Sequence, residues 1–158
     1  MTRRSLLASC AGLFALALAP KDRATAAEET FEVIHTDDEW RKLLTPDQFA
    51  VLRREDTERP FTSPLNNEHR KGIFACAGCS LDLFSSDTKF DSHTGWPSFW
   101  DHLPNATGTK RDRSFGMIRD AVHCHRCGGH LGHVFDDGPK PTGMRYCMNG
   151  VAMNFKPA

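Results

Sequence analysis

The stretch from Phe115 to Phe135, "FGMIRDAVHCHRCGGHLGHVF", holds two short apolar runs on either side of a Cys-x-x-Cys pair. The runs Phe115–Cys124 and His133–Phe135 are short and bounded by glycines, so they read as strands rather than helices. The same texture continues in both directions. Ile73–Cys76, Leu81–Phe84 and Met144–Phe155 are further short apolar runs, separated or broken by Gly, Pro, Asn and Asp. The chain from Gly72 onward is therefore expected to be a small, mainly antiparallel β domain.

Upstream the period changes. Between His35 and Arg54, Trp40, Leu43 and Leu44 fall on one side, and Phe49, Val51 and Leu52 follow, the spacing of amphipathic helix. Thr45-Pro46-Asp47-Gln48 carries a capping-box start, with Thr45 as N-cap, Pro46 in the first turn and Gln48 reaching back. Two short N-terminal helices are expected. The proline-rich "ERPFTSPLNNEHRKG" after them reads as an extended surface connector.

The 158 residues leave room for one domain, and the 39% hydrophobic content is that of an ordinary globular protein. The first 26 residues read as a removable export signal: a basic start, an apolar run from Leu6 to Ala19, and Ala24-Thr25-Ala26 as the cleavage site. The run is short for a membrane span, so no stable membrane insertion is expected. Arg3 and Arg4 fit a twin-arginine signal, with ordinary secretion the alternative route. Either way the location is periplasmic, and residues 27–158 form the mature domain.

Cys10 leaves with the leader, although Leu7-Ala8-Ser9-Cys10 has the look of a lipoprotein site. Cleavage also removes Arg3, Arg4, Lys21, Arg23 and Asp22 from a balance of 20 bases and 20 acids. The mature chain is then mildly acidic, which argues against a nucleic-acid partner. It also has an odd number of cysteines, leaving one thiol over.

Cys76-Ala77-Gly78-Cys79 and Cys124-His125-Arg126-Cys127 each have the spacing that turns two thiolates toward one tetrahedral ion. Gly78 and Gly128 are expected to ease the tight turns. Four thiolates favour a single structural zinc per chain. Disulfides within or between the pairs are the competing reading, but a small domain needs such a staple. His123 and His125 flank the second pair and read as ordinary strand residues.

The thiol left over is Cys147, in "RYCMNG". On a strand from Met144 to Val151, alternation puts Arg145, Cys147 and Asn149 on one face. A guanidinium beside a thiol favours its thiolate, the nucleophilic form, and Asn149 can orient a polar group. His130 and His133 lie on opposite faces of a regular strand, and a bulge at Gly132 would bring them together as proton donors. Each hint alone is weak, since a free buried cysteine is more often a small core residue. In "SHTGWPSFW", Gly95 and Pro97 around Trp96 suggest a rigid loop presenting an indole as a pocket wall.

"CAGC", "TKFDSHTGWPSFW", "HCHRCGGHLGHVFDDGP" and "RYCMNG", in that order and with "PFTSPL" upstream, resemble the B-type methionine-R-sulfoxide reductases. The resemblance spans nearly all of the mature chain. It implies two small antiparallel sheets, a structural zinc, and reduction of the R epimer of methionine sulfoxide in oxidised proteins. By it, Cys147 is the nucleophile and one of His130 and His133 protonates the sulfoxide oxygen. Arg145 and Asn149 hold the thiolate and a bound oxygen, and Asp137 supports the histidines. Trp96 receives the substrate methyl, with Phe99 beside it in binding substrate.

The chemistry suits these residues. Sulfoxide oxygen leaves only when protonated, so an acid acts as the thiolate attacks sulfur, and Cys147 becomes a sulfenic acid. Many relatives carry a second redox cysteine in the segment that reads "HTGWP" here, where this chain has Thr94; His93 is a further departure in that loop. With the knuckle cysteines on zinc, a thioredoxin-like protein or another thiol reductant must return Cys147 to the thiol. A monomer is expected. A non-catalytic zinc-stabilised binding module and a cysteine hydrolase are the rival readings, and no oxyanion motif favours the latter.

Overall fold

The computed structural model describes residues 29–158. The expected leader, its arginine pair and the cleavage site after Ala26 lie outside the described residues. Among the described residues two helices come first, α1 (Asp37–Leu43) and α2 (Pro46–Arg54). Each begins on a threonine, Thr36 or Thr45, whose side chain accepts from the N3 amide while the N3 side chain, Glu39 or Gln48, returns the bond. α2 turns Val51 and Leu52 inward, and α1 contributes Trp40.

Nine strands follow: β1 (Gly72–Cys76), β2 (Asp82–Ser85), β3 (Lys89–Phe90), β4 (Ser98–Phe99), β5 (Thr107–Asp112), β6 (Arg119–Cys124), β7 (His130–Phe135), β8 (Arg145–Met148) and β9 (Met153–Pro157). They form a three-stranded sheet, β2-β1-β9, and a six-stranded sheet, β3-β4-β8-β7-β6-β5. Every pairing is antiparallel. The mainly β architecture with two antiparallel sheets and short N-terminal helices is as expected.

Differences lie in the boundaries. Phe115–Cys124 is strand only from Arg119, because a 3-10 turn occupies Ser114–Gly116. Another 3-10 turn at Gly150–Ala152 splits Met144–Phe155 into β8 and β9, which sit in different sheets. β5 is an edge strand with mostly exposed side chains, so it lacks the apolar alternation that reveals a strand.

Aromatic rings fill the space between the sheets. Phe84 stacks on Phe99 at 4.4 Å, and Phe74 meets Phe99 edge-on at 4.9 Å and Phe155 at 5.0 Å. Phe99 is fully buried in this cluster, so its ring belongs to the core and not to a substrate surface. Such pairs add roughly 0.5–1.5 kcal/mol each beyond the area they bury. Among the described residues no helix is long and apolar enough to cross a membrane.

Candidate functional site

Two cysteine knuckles close in the same way. Ser80 N donates to Cys76 O and Gly128 N to Cys124 O, both at 2.9 Å. The left-handed residue is Gly128 (φ 68°) in the second knuckle and Ser80 (φ 59°), not Gly78, in the first. The amides therefore fold back over each pair and leave the sulfurs converging. All four Sγ atoms lie within 4.8 Å of one another, with Cys76–Cys127 at 3.8 Å and Cys79–Cys124 at 3.5 Å.

A tetrahedron of thiolates around an ion with 2.3 Å bonds has edges of about 3.8 Å, so the cluster has the size of a metal centre. Cys76 ends β1 and Cys124 ends β6. An ion there would join the two sheets and the turn leading into β7. Of the flanking histidines, His123 is a buried residue of β6, while His125 lies exposed in the knuckle turn.

The second site lies on one face of the six-stranded sheet. Register pairs Ser98 with Cys147, Cys147 with His133, and His133 with Ala121. Two residues along, Arg145, Phe135, Arg119 and Asp112 form the next row. Directly paired residues share a face, so thiol, imidazole and guanidinium come together from separate strands. His123 pairs with His130 and Val122 with Gly132, which leaves Leu131 as the extra residue of a bulge. The bulge brings His130 round to His133, ring centres 5.4 Å apart. Gly132 is needed beside it, because a Cβ there would lie 2.2 Å from Cys147 O.

Trp96, His133, Phe135, Cys147 and Asn149 line a cavity of about 110 Å³ over this face, together with Thr57, Arg119 and Gly132. Trp96 is held by its Nε1, which donates to Glu58 O at 2.9 Å. Glu58 N donates to Asn149 Oδ1 at 2.9 Å, and its carboxylate accepts from Gly150 N at 2.7 Å. Burial pushes the Glu58 carboxyl up from its ordinary value, against these amide bonds. The connector is thus a strap that fixes the indole and the turn after β8. Glu58 carries no sequence signal for this, since its main chain makes two of the bonds.

Two expected roles change. Asp137 does not support the histidines: it binds Arg145 Nε and an Nη at 2.7 and 2.8 Å. Each charge strengthens the other, lowering the Asp137 pKa and raising that of Arg145. The guanidinium also lies 4.3 Å over the Phe135 ring. Asn149, expected to orient a polar group, has its amide committed, with Nδ2 also donating to Leu131 O at 3.0 Å.

The histidines have unlike surroundings. His130 is 4% exposed and neither ring nitrogen has a partner among the described residues; burial, helped by His133, pulls it down to about 4. His133 Nε2 lies 2.9 Å from Asp112 Oδ2. Asp112 escapes a reading of the sequence because it ends the polar strand β5; its one local mark is the turn in which Oδ1 accepts from Ser114 N at 2.8 Å. Thr94 Oγ1 lies 3.6 Å from Cys147 Sγ and 2.8 Å from Ser92 Oγ, which reaches Ser98 Oγ at 2.7 Å. His93 is exposed and faces a separate cleft of about 260 Å³ behind Trp96.

The SelR domain family matches residues 44–157. A Methanosarcina barkeri protein named peptide methionine sulfoxide reductase MsrB is 55% identical over 77% of this chain and 86% of its own length. An Agrobacterium fabrum protein of the same name is 52% identical over 80% of this chain and 94% of its own. A Pseudomonas putida protein, also so named, is 53% identical over 76% and 91% respectively.

Proposed function

From the premise that the chain belongs to the SelR family, whose matching relatives are peptide methionine sulfoxide reductases, we propose a reaction confined to the R epimer and centred on Cys147. The enzyme is a peptide methionine sulfoxide reductase, and its substrates are oxidised proteins. The observation that carries the finer reading is a lone thiol paired across strands with an imidazole, beneath an indole fixed from the connector.

The Cys147 thiolate attacks the sulfoxide sulfur while the oxygen takes a proton from an imidazole. The S–O bond passes to Cys147, methionine leaves as the thioether, and the enzyme holds Cys–SOH. Arg145, itself held by Asp137, places positive charge near the sulfur. Trp96 and Phe135 supply an apolar wall for the methyl group. Two reducing equivalents from an external thiol then return Cys147 to the thiol and release water. Among the described residues the remaining cysteines are gathered in the metal cluster, which supports an external donor such as a thioredoxin-like protein.

The four-sulfur cluster holds one zinc per chain on this reading. The ion supplies structure rather than chemistry, since four thiolates close the tetrahedron. Cys76, Cys79, Cys124 and Cys127 would keep the β6–β7 turn, and so the histidine strand, in register with β1. The enzyme acts as a monomer in the periplasm after cleavage at Ala26. N-terminal sequencing of protein from the cell envelope should start at Ala27; full-length protein in the cytoplasm would refute the export reading.

The activity test uses mature protein with and without Cys147→Ser, on separated R and S epimers of a methionine sulfoxide peptide, with dithiothreitol as reductant. Turnover of the R epimer alone, lost in the variant, is expected. Equal turnover of the S epimer, or full activity in the variant, would refute the reading.

A further inference from the structure

The reductase reading requires a proton at the sulfoxide oxygen, and two imidazoles stand near Cys147. They are placed for different tasks. His130 is buried, with neither nitrogen bonded among the described residues, a setting in which burial opposes the charged ring. His133 pairs directly with Cys147 across β7 and β8 and lines the cavity. Its Nε2 meets Asp112 Oδ2 at 2.9 Å.

Asp112 is itself firmly held. An Arg119 Nη donates to the same Oδ2 at 2.8 Å, and Ser114 N donates to Oδ1 at 2.8 Å. The Ser114 amide and His133 are the leading causes that pull its carboxyl well below the usual range, so it is an anion throughout the working range. Its charge is shared between an imidazole and a guanidinium, both of which line the cavity.

We propose that Asp112 is the positioning residue of the proton donor: its carboxylate takes the Nε2–H of His133 and leaves Nδ1 as the nitrogen free to carry the transferable proton. Arg119 fixes the carboxylate so that it faces the imidazole rather than water. In the chemical step the His133 imidazolium gives up a proton to the departing oxygen and becomes the Nε2–H neutral tautomer, which Asp112 continues to hold. No proton moves to Asp112. Bulk water reprotonates the ring before the next turnover. The charged and titratable groups around the two rings are Asp112 and Lys110 from β5, Arg119 and His123 from β6, Cys147 and Arg145 from β8, and Glu55 from the end of α2.

The inference rests on the reductase reading, and the experiment separates the two. Wild-type protein, Asp112→Asn and Asp112→Glu are compared on the R-sulfoxide peptide across pH. Loss of the carboxylate is expected to lower kcat by roughly 10–100-fold, with KM and the rate of Cys147 alkylation by iodoacetamide unchanged. An acid must be protonated to act, so turnover falls as pH rises. Removing the anion that faces the ring should make the loss of kcat grow as pH rises, and Asp112→Glu should restore part of kcat.

A drop in kcat equal at every pH, or a change confined to KM or to alkylation, would reduce Asp112 to a structural role and overturn the proposal. Unaltered kcat would do the same. Nitrogen-15 imidazole spectra of the wild-type protein give a check that needs no variant to fold: neutral His133 should carry its proton on Nε2, and a proton on Nδ1 refutes the assignment. A wild-type protein inactive on both epimers would instead sink the reductase reading.

Discussion

Five cysteines lie in the described structure, and they occupy two settings that share almost nothing. Four stand at the tips of two matched turns, their sulfurs converging within 4.8 Å and three of them buried. Cys147 lies on a strand face, half-buried, facing an imidazole, a guanidinium and a hydroxyl chain. The comparison teaches that the thiol is set to its task by what it can reach. Where four sulfurs converge, deprotonation needs a cation to offset their mutual repulsion, and the product is a closed, unreactive centre. Where one sulfur meets positive groups and open space, it can attack a substrate.

Exchanging single atoms between these settings tests the contrast. Cys147→Ser should abolish turnover, by about a thousandfold or more, while metal content and melting temperature stay at wild-type values; a lost metal would mean the two sites are not independent. Cys124→Ser should act in the opposite sense, through the fold. With a thiolate gone from the cluster, metal content should fall and the melting temperature should drop by roughly 10 °C or more. An unaltered melting curve would show the staple to be dispensable.

A smaller effect comes from His130. Its folded value near 4 lies below the ordinary one near 6.5, so the unfolded chain binds the proton first as pH falls. Its contribution is present above the unfolded value and is lost as pH drops toward 4. Denaturant unfolding should show about 2 kcal/mol less stability at pH 5 than at pH 7 from this group. His130→Gln should flatten that slope, and an unchanged slope would assign the acid sensitivity elsewhere. Smallest of all, Thr94→Cys gives the lone sulfur a neighbour, since Thr94 Oγ1 stands 3.6 Å from it. Mass spectrometry after one turnover should find the introduced thiol joined to Cys147 as a disulfide, with dithiothreitol-driven turnover within about twofold of wild type. A variant that stays in the sulfenic form would show that the loop cannot close on the thiol.

Much of the fold is legible along the chain because it is local. Thr45 and Gln48 cap α2 within four residues. Cys-x-x-Cys turns are likewise self-contained, and the apolar runs of β1 and β2 come close to the observed strands. Even the bulge that gathers His130 and His133 is signalled by Gly132, although its extra residue is Leu131. Failures cluster where a residue's partner is distant. Phe99 reads as part of a binding loop, but Phe84 and Phe74 claim its ring for the core. Asp137 sits next to the histidine strand in sequence, yet its carboxylate turns to Arg145.

The sequence by itself determined the two capped helices, the apolar strands, the two cysteine turns and which thiol stands outside them, because caps, knuckles and strand alternation are set by neighbours a few residues apart. Only the tertiary structure decided that Glu58 would clasp Trp96 and Asn149, or that Asp112 would stand behind His133. Strand register and sheet order are settled by burial of the whole aromatic core at once, and they alone bring an exposed edge strand to the imidazole it serves.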